Sequence, residues 1–293
     1  LLTITRFFEI LYLFLENNSK NIGENIMLPI LSKEKLFKLA PSIFTQESSH
    51  KTSAQYSPIS TEQIIEKLMS EGFFPTWATQ TKSLSEESKA FAKHMLRFQR
   101  HDVIQNNQGL YPELVLINSH DGLSSYRLMA GLFRVVCGNG MIAGQSYDEI
   151  RIKHQGDVVG NVIEGTYKVI ETANKMLDVS DDMASIHLND TEKMIFAEAA
   201  HSLKFSNDEG AMIVAPERLL QPRRYVDQKD NDLFTVFNVL QENLIKGGIR
   251  GHRLNKYGYT TRTKTREVKA IDQNVKLNRA LWTLTEKMME IKR

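Results

Sequence analysis

The spacing of apolar residues changes partway along the chain, and that change sets what the chain can fold into. From about residue 73 to residue 160 the apolar residues come mostly in short runs or at every second position, the period of a strand. Residues 73–81 (FFPTWATQT) read as a strand. Residues 94–100 alternate, with Met95, Arg97 and Gln99 on one side. Residues 114–117 are apolar enough for a buried strand. Residues 124–143 read as a strand, a turn at Gly138-Asn-Gly and a second short strand. A helix is the alternative there, because Arg127 and Arg134 stand seven apart and would share a face. Residues 150–154 continue as a strand.

From Asn161 the spacing becomes three and four. Val162, Val169, Ile170, Ala173 and Met176 mark a helix, and residues 188–205 a second, with Asp190-Thr-Glu near its start. Residues 233–244 form a third, broken by Gly247-Gly. Residues 272–291 form a fourth, carrying Val275, Leu281, Trp282, Leu284 and Met288. Two short helices precede the strands. One opens at Ser32-Lys-Glu-Lys and ends at Pro41; the other is capped by Thr61, closed by Gly72 and buries Ile64, Ile65 and Leu68. Residues 45–53 read as a loop and 83–89 as a polar turn. Strands followed by helices make an α+β layout, with an antiparallel-rich sheet in the first half and helices in the second. The expected organisation is an extension over residues 1–26, a strand-rich core over 27–160, and a mainly helical half over 161–293 packed on that core as one domain.

With 41% apolar and 25% charged residues in 293, the composition is that of a globular protein; it excludes wholesale disorder, collagen and a disulfide scaffold. The single cysteine, Cys137, has no intrachain partner and sits in apolar surroundings. It reads as a buried structural thiol, and a reducing cytoplasm is the default compartment. Residues 7–15 are apolar but interrupted by Glu9, and fall short of the ~20 residues a bilayer span needs. No signal-peptide pattern surrounds them. They read as an amphipathic or core helix, or as residues upstream of a natural start at Met27. No membrane partner is expected.

The net charge of +2 conceals an asymmetry. Residues 246–279 hold ten basic side chains against Glu267 and Asp272, while the rest of the chain has 27 basic against 33 acidic. A localised polyanion-binding surface on an acidic body follows. Lys246, Arg250, Arg253, Arg262, Lys264 and Arg266 would hold phosphates, and Tyr257 and Tyr259 would stack bases, a combination suited to single-stranded nucleic acid. Arg127 and Arg134 are further phosphate candidates; pairing with a carboxylate is their structural alternative. A solvated basic loop is the plain alternative for the segment. The glycines of Gly247-Gly-Ile-Arg-Gly either cradle a phosphate or stop a helix.

The densest polar cluster is Asn118, Ser119, His120 and Asp121, followed by Gly122. It reads as an Asx-type turn, as a polar contact site, or as acid–base or metal-assisted hydrolytic machinery. Neighbouring side chains on an extended segment point apart, so His120 and Asp121 need not converge. No metal-ligand spacing, acyl-transfer motif or nucleotide loop is present, and neither a cofactor nor a catalytic residue is assigned.

Several longer strings occur together: Glu71-Gly-Phe-Phe-Pro with Gln80-Thr-Lys, Lys93-His-Met-Leu-Arg, Leu116-Ile-Asn-Ser-His-Asp-Gly and Ser124-Ser-Tyr-Arg-Leu. They continue with Leu132-Phe-Arg-Val-Val-Cys-Gly-Asn-Gly, Gln241-Glu-Asn-Leu-Ile-Lys-Gly-Gly and Val275-Lys-Leu-Asn-Arg-Ala-Leu-Trp. In these the chain resembles, from about Met27 to Trp282, the phage- and plasmid-related proteins of domain of unknown function family 932, found in bacterial prophages. The resemblance implies a mobile-element protein and supplies no enzymatic activity to transfer. Its outline, strands then helices, is similar to that of phage single-strand annealing recombinases. The expectation is a cytoplasmic protein that binds nucleic acid without catalysis, in single-strand DNA handling or annealing. The alternatives are a module that docks a host protein and opposes host defence, and a nuclease using His120 and Asp121.

Overall fold

A computed structural model describes residues 29–46, 60–83, 85–100, 109–121, 124–135, 138–142, 144, 147, 149–205, 212–254 and 257–293. Residues 1–26, Cys137, Gly122 and most of the expected 45–53 loop lie outside them. Helix α1 (Lys33–Leu39) starts at Ser32, whose hydroxyl accepts the Lys35 N–H, and it buries Leu36. A single 3-10 turn, Pro41–Phe44, follows. Helix α2 (Thr61–Ser70) is capped by Ser60 rather than Thr61. The Ser60 hydroxyl accepts the Gln63 N–H, which leaves Thr61 as the first helical residue with its hydroxyl turned inward. Gly72 ends α2 at φ 87°.

Four strands then run antiparallel in chain order: β1 (Phe73–Gln80), β2 (His94–Arg100), β3 (Leu110–Asn118) and β4 (Tyr126–Arg134). A short helix, α3 (Glu86–Ala90), replaces the expected polar turn; the Ser85 hydroxyl caps it. Strands β5 (Asn139–Ile142) and β6 (Ile150–Ile152) divide the far side of β4 between them, β5 opposite 131–134 and β6 opposite 126–128. The two-residue period puts Leu96, Phe98, Leu114, Leu116, Leu128 and Leu132 on one face. There they meet α4 (Val158–Ala184), capped by Asp157. Gly165 lets α4 approach closely, since a Cβ would stand 2.9 Å from a Leu128 methyl.

Met95, Val115, Ile117, Met129 and Ile142 line the other face and pack on Ile271 and Val275 of the last helix. Between α4 and that helix lie α5 (Asp190–Ser202), with a capping box of Asn189 and Glu192, and α6 (Leu233–Lys246). The last helix is α7 (Ile271–Lys292). Every residue of α6 from Leu233 to Leu244 is buried. The Phe237 ring meets the Trp282 ring of α7 edge-on at 5.7 Å. One cluster of buried side chains runs from Leu36 to Met289, so both halves share a core. The fold is α+β, antiparallel in its first half and helical later. No helix among the described residues is long and apolar enough to cross a membrane.

The second half also holds a small sheet: β8 (Arg250–Leu254) and β9 (Thr260–Lys264) lie within the basic stretch 246–279, and β7 (Met212–Ile213) joins them from outside it. Nearly every residue of β8 and β9 faces solvent, so these strands lack the apolar alternation that marks a half-buried strand.

Candidate nucleic-acid interface

The β8–β9 ribbon is rooted in the end of α6. Gly247 turns the chain at φ 65°, where a Cβ would meet the Arg266 carbonyl carbon at 2.5 Å. The N–H groups of Gly247, Gly248 and Ile249 donate to Asn243 O, Thr265 O and Thr265 Oγ1, and Thr265 N–H returns to Ile249 O. With these amides committed, the glycine segment acts as a helix stop rather than a phosphate cradle.

Register then decides which side chains share a face. Arg250 stands opposite Lys264, His252 opposite Arg262, and Leu254 opposite Thr260; Ile213 of β7 joins beside His252. Opposite residues of an antiparallel pair project together, so Arg250, Arg262, Lys264 and His252 crowd one exposed surface. Like charges set directly opposite weaken a ribbon. Among the described residues, no carboxylate lies within ion-pair distance of Arg250, Arg262 or Lys264. Tyr257 and Tyr259 flank Gly258 at the ribbon's end, each 71% exposed. Arg253 projects from the opposite face, and Arg266 lies exposed just beyond β9.

Each of the remaining cations named from the sequence is paired with a carboxylate. Lys246 Nζ lies 2.9 Å from Glu242, which Arg224 also meets at 2.8 Å. Burial raises the Glu242 pKa, but these two partners outweigh it and hold the carboxyl below its ordinary range. Arg127 donates through Nε and Nη2 to both oxygens of Glu149 and through Nη1 to Asp272. Arg134 is buried, donates to Asp227 at 2.8 Å and lies over the Phe234 ring. Carboxylate pairing, the structural alternative for Arg127 and Arg134, is therefore what the fold contains. A further buried pair carries no mark in the sequence. Arg97 Nη1 donates to Glu113 at 2.7 Å, and Gln99 donates to the other Glu113 oxygen.

Asn118, Ser119 and His120 sit at the end of β3, buried rather than presented. The register places His94 opposite Asn118. The Thr61 hydroxyl accepts from Asn118 Nδ2 at 3.1 Å and has one proton to give; His94 Nε2 at 2.8 Å is nearer than His120 Nε2 at 3.5 Å. His94 Nδ1 bonds the Ser42 hydroxyl at 2.8 Å, and His154 donates through Nε2 to Asn118 Oδ1. Burial, with help from neighbouring imidazoles, lowers His94 to about 3 and His120 to about 4; burial lowers His154 to about 4. All three are neutral near pH 7. Ser119 Oγ donates to Asp121 Oδ1 at 2.6 Å, the bond of a local turn.

A serine hydroxyl on a histidine is the pairing of a nucleophile with its base, yet neither Ser42 nor His94 has any exposed surface for a substrate to reach. Among the described residues no group of three or more His, Cys, Asp and Glu is placed to hold a metal. Of this network only His120 is a candidate site residue in the sequence; Thr61 reads there as a helix cap, His94 and His154 read as strand residues, and Ser42 carries no signal.

The family model described as "Domain of unknown function (DUF932)" matches residues 50–282, a span that holds the ribbon and all of the buried network except Ser42. Two proteins of Escherichia coli (strain K12), UPF0380 protein YfjQ and UPF0380 protein YafZ, are each 41% identical to this chain over 259 residues, covering 88% of it and 92% of the relative. No solved structure matches the chain. A family model spanning most of the chain, together with relatives at this identity and coverage, establishes that the chain belongs to the DUF932 family.

Proposed function

We propose that this protein binds nucleic acid through the β8–β9 ribbon and catalyses no reaction, acting in DNA handling for a mobile genetic element. One observation carries the reading. Arg250, Arg262 and Lys264 are gathered on one exposed face by strand register, with no described carboxylate paired to them. A ribbon that bears this repulsion when alone gains from a polyanion that relieves it. Arg253 and Arg266 widen the positive surface, and Tyr257 and Tyr259 offer rings on which unpaired bases stack.

The test is fluorescence anisotropy with labelled single- and double-stranded DNA at 50 and 200 mM salt. About six phosphate contacts would make the affinity fall at least roughly 10³-fold across that range. Replacing Arg262, Lys264 and Arg266 together with Ala weakens binding and lowers the salt slope by about 2–3. Binding that ignores the triple substitution would remove the ribbon from the interface. Ile213 and Leu254, 58% and 42% exposed on the cationic face, favour a second reading in which the ribbon docks an acidic host protein. Partner capture that survives nuclease treatment and is lost in the triple variant, with no DNA binding in the anisotropy assay, would decide for it.

A further inference from the structure

A second cationic locus lies on the large sheet, reached by different elements. Arg151 of edge strand β6 stands directly opposite Arg127 of β4. Here the repulsion is bridged, because Glu149 accepts from Arg127, from Arg151 Nε at 2.6 Å and from Arg279 Nη1 at 3.1 Å. Three guanidinium groups thus share one carboxylate. The next carboxylate, Asp272, is divided between Arg127 and Lys93. Four cations face two anions, and the surplus is directed outward. The Arg151 side chain is 68% exposed, and Lys153, two residues on, is exposed as well.

Beside them runs a groove of about 400 Å³ between β6 and α4. Its lining includes Lys168, with Gln155 and Asn161 supplying amide donors; Ile150 and Ile152 turn toward α4, so Arg151 and Lys153 stand at its rim and project to the Glu149 side of the edge strand. Glu164 is the carboxylate in its lining, and Lys168 already holds it at 2.6 Å. Cations and neutral donors around a groove suit phosphate oxygens, which accept from both.

We infer that the β6–α4 groove holds a phosphodiester segment of the same nucleic acid that the ribbon engages. The inference rests on the proposed function and adds a second contact along the strand. Arg151 and Lys153 are the principal phosphate ligands at the rim, and Gln155 and Asn161 hold the backbone where the strand crosses the β6 edge into the groove. Arg127 and Arg279 act from behind by sharing Glu149, which leaves the Arg151 charge only partly neutralised.

The experiment measures anisotropy on the full chain with oligonucleotides of increasing length. The variants are Arg151→Ala/Lys153→Ala and the charge-reversed Arg151→Glu/Lys153→Glu, with the ribbon triple variant alongside. The neutral groove variant should bind long oligonucleotides about tenfold more weakly and lose about 2 from the salt slope. The reversed variant should be weaker still. The shortest oligonucleotide sensitive to the ribbon substitutions should bind the groove variants as it binds the unaltered protein. Unaltered affinity and slope for long oligonucleotides, with the ribbon variant weakened, would overturn the groove and leave the ribbon standing. Failure of the unaltered protein to bind any nucleic acid would overturn both. Adenosine monophosphate that competes for the groove as well as a long strand does would overturn the strand assignment in favour of a free nucleotide.

Discussion

The sheet and the ribbon both set cations on strands, and they treat them oppositely. Within strands β2 and β4 each named arginine is answered: Arg97 by Glu113, Arg127 by Glu149 and Asp272, Arg134 by Asp227. On the ribbon, Arg250, Arg262 and Lys264 face one another's strands with no described carboxylate. A fold that buries a charge must bring its partner, because an unpaired buried ion costs several kcal/mol. A charge held in water carries no such obligation. Paired cations therefore report what the fold needs, and unpaired, register-aligned cations report what the fold offers to something else.

Breaking the buried pair gives the largest effect by which to test that contrast. Glu113→Ala leaves Arg97 buried without its carboxylate and should cost about 3–5 kcal/mol in urea unfolding. Arg97→Met with Glu113→Leu should recover most of the loss, since neither charge then remains. A Glu113→Ala protein as stable as the parent would mean that the sheet arginines are not held by their carboxylates. Next comes Gly140, where a methyl group would overlap the Arg97 guanidinium. Gly140→Ala should cost about 1–3 kcal/mol by displacing that group.

The histidines give a pH signature of comparable size. A buried imidazole lowered to about 3 binds no proton at pH 5, whereas the unfolded chain, titrating near 6.5, does. Stability therefore falls as pH drops below about 6.5 and keeps falling toward the folded value. For His94 alone the loss from pH 7 to pH 5 is about 2 kcal/mol, and unfolding curves of His94→Gln at the two pH values should show a smaller difference than the parent. The smallest effect belongs to the ribbon. Arg262→Ala with Lys264→Ala should leave stability within about 0.5 kcal/mol, or raise it slightly by relieving repulsion. A large loss there would make the ribbon cations structural and erase the contrast.

Strands read well from the sequence where one face meets a core. The alternation at 94–100 and the change of period at Asn161 correspond to β2 and to α4. The ribbon escaped because strands exposed on both faces leave no apolar period to read; its charge was countable, but the opposition of Arg250 and Lys264 depends on register. Met95, Arg97 and Gln99 were placed on one side correctly, yet nothing local marks that side as buried, since its cover comes partly from α7, more than 170 residues later. The histidine network was hidden for the same reason. His120 stands in a dense polar cluster, but His94 and His154 read only as strand residues and reach it through β2 and β6. Thr61 reads as a helix cap because Ser60 and Thr61, adjacent hydroxyl residues, are interchangeable in a pattern, though only Ser60 turns its hydroxyl to the helix.

The rooting of the ribbon has a mechanical consequence. It is clamped to α6 at Gly247 and through reciprocal bonds between Ile249 and Thr265, and Val268 N–H adds a further tie to Ile245 O. Such a base does not pivot freely, so the ribbon behaves as a stiff arm set into a helix buried from Leu233 to Leu244. From α6, Gln241 bonds both Asn278 of α7 and the Gly140 carbonyl at the sheet edge. A load placed on the arm's tip is therefore passed through α6 to the sheet and to α7, and whatever seizes Tyr257 and Tyr259 pulls against the core rather than against a loose loop.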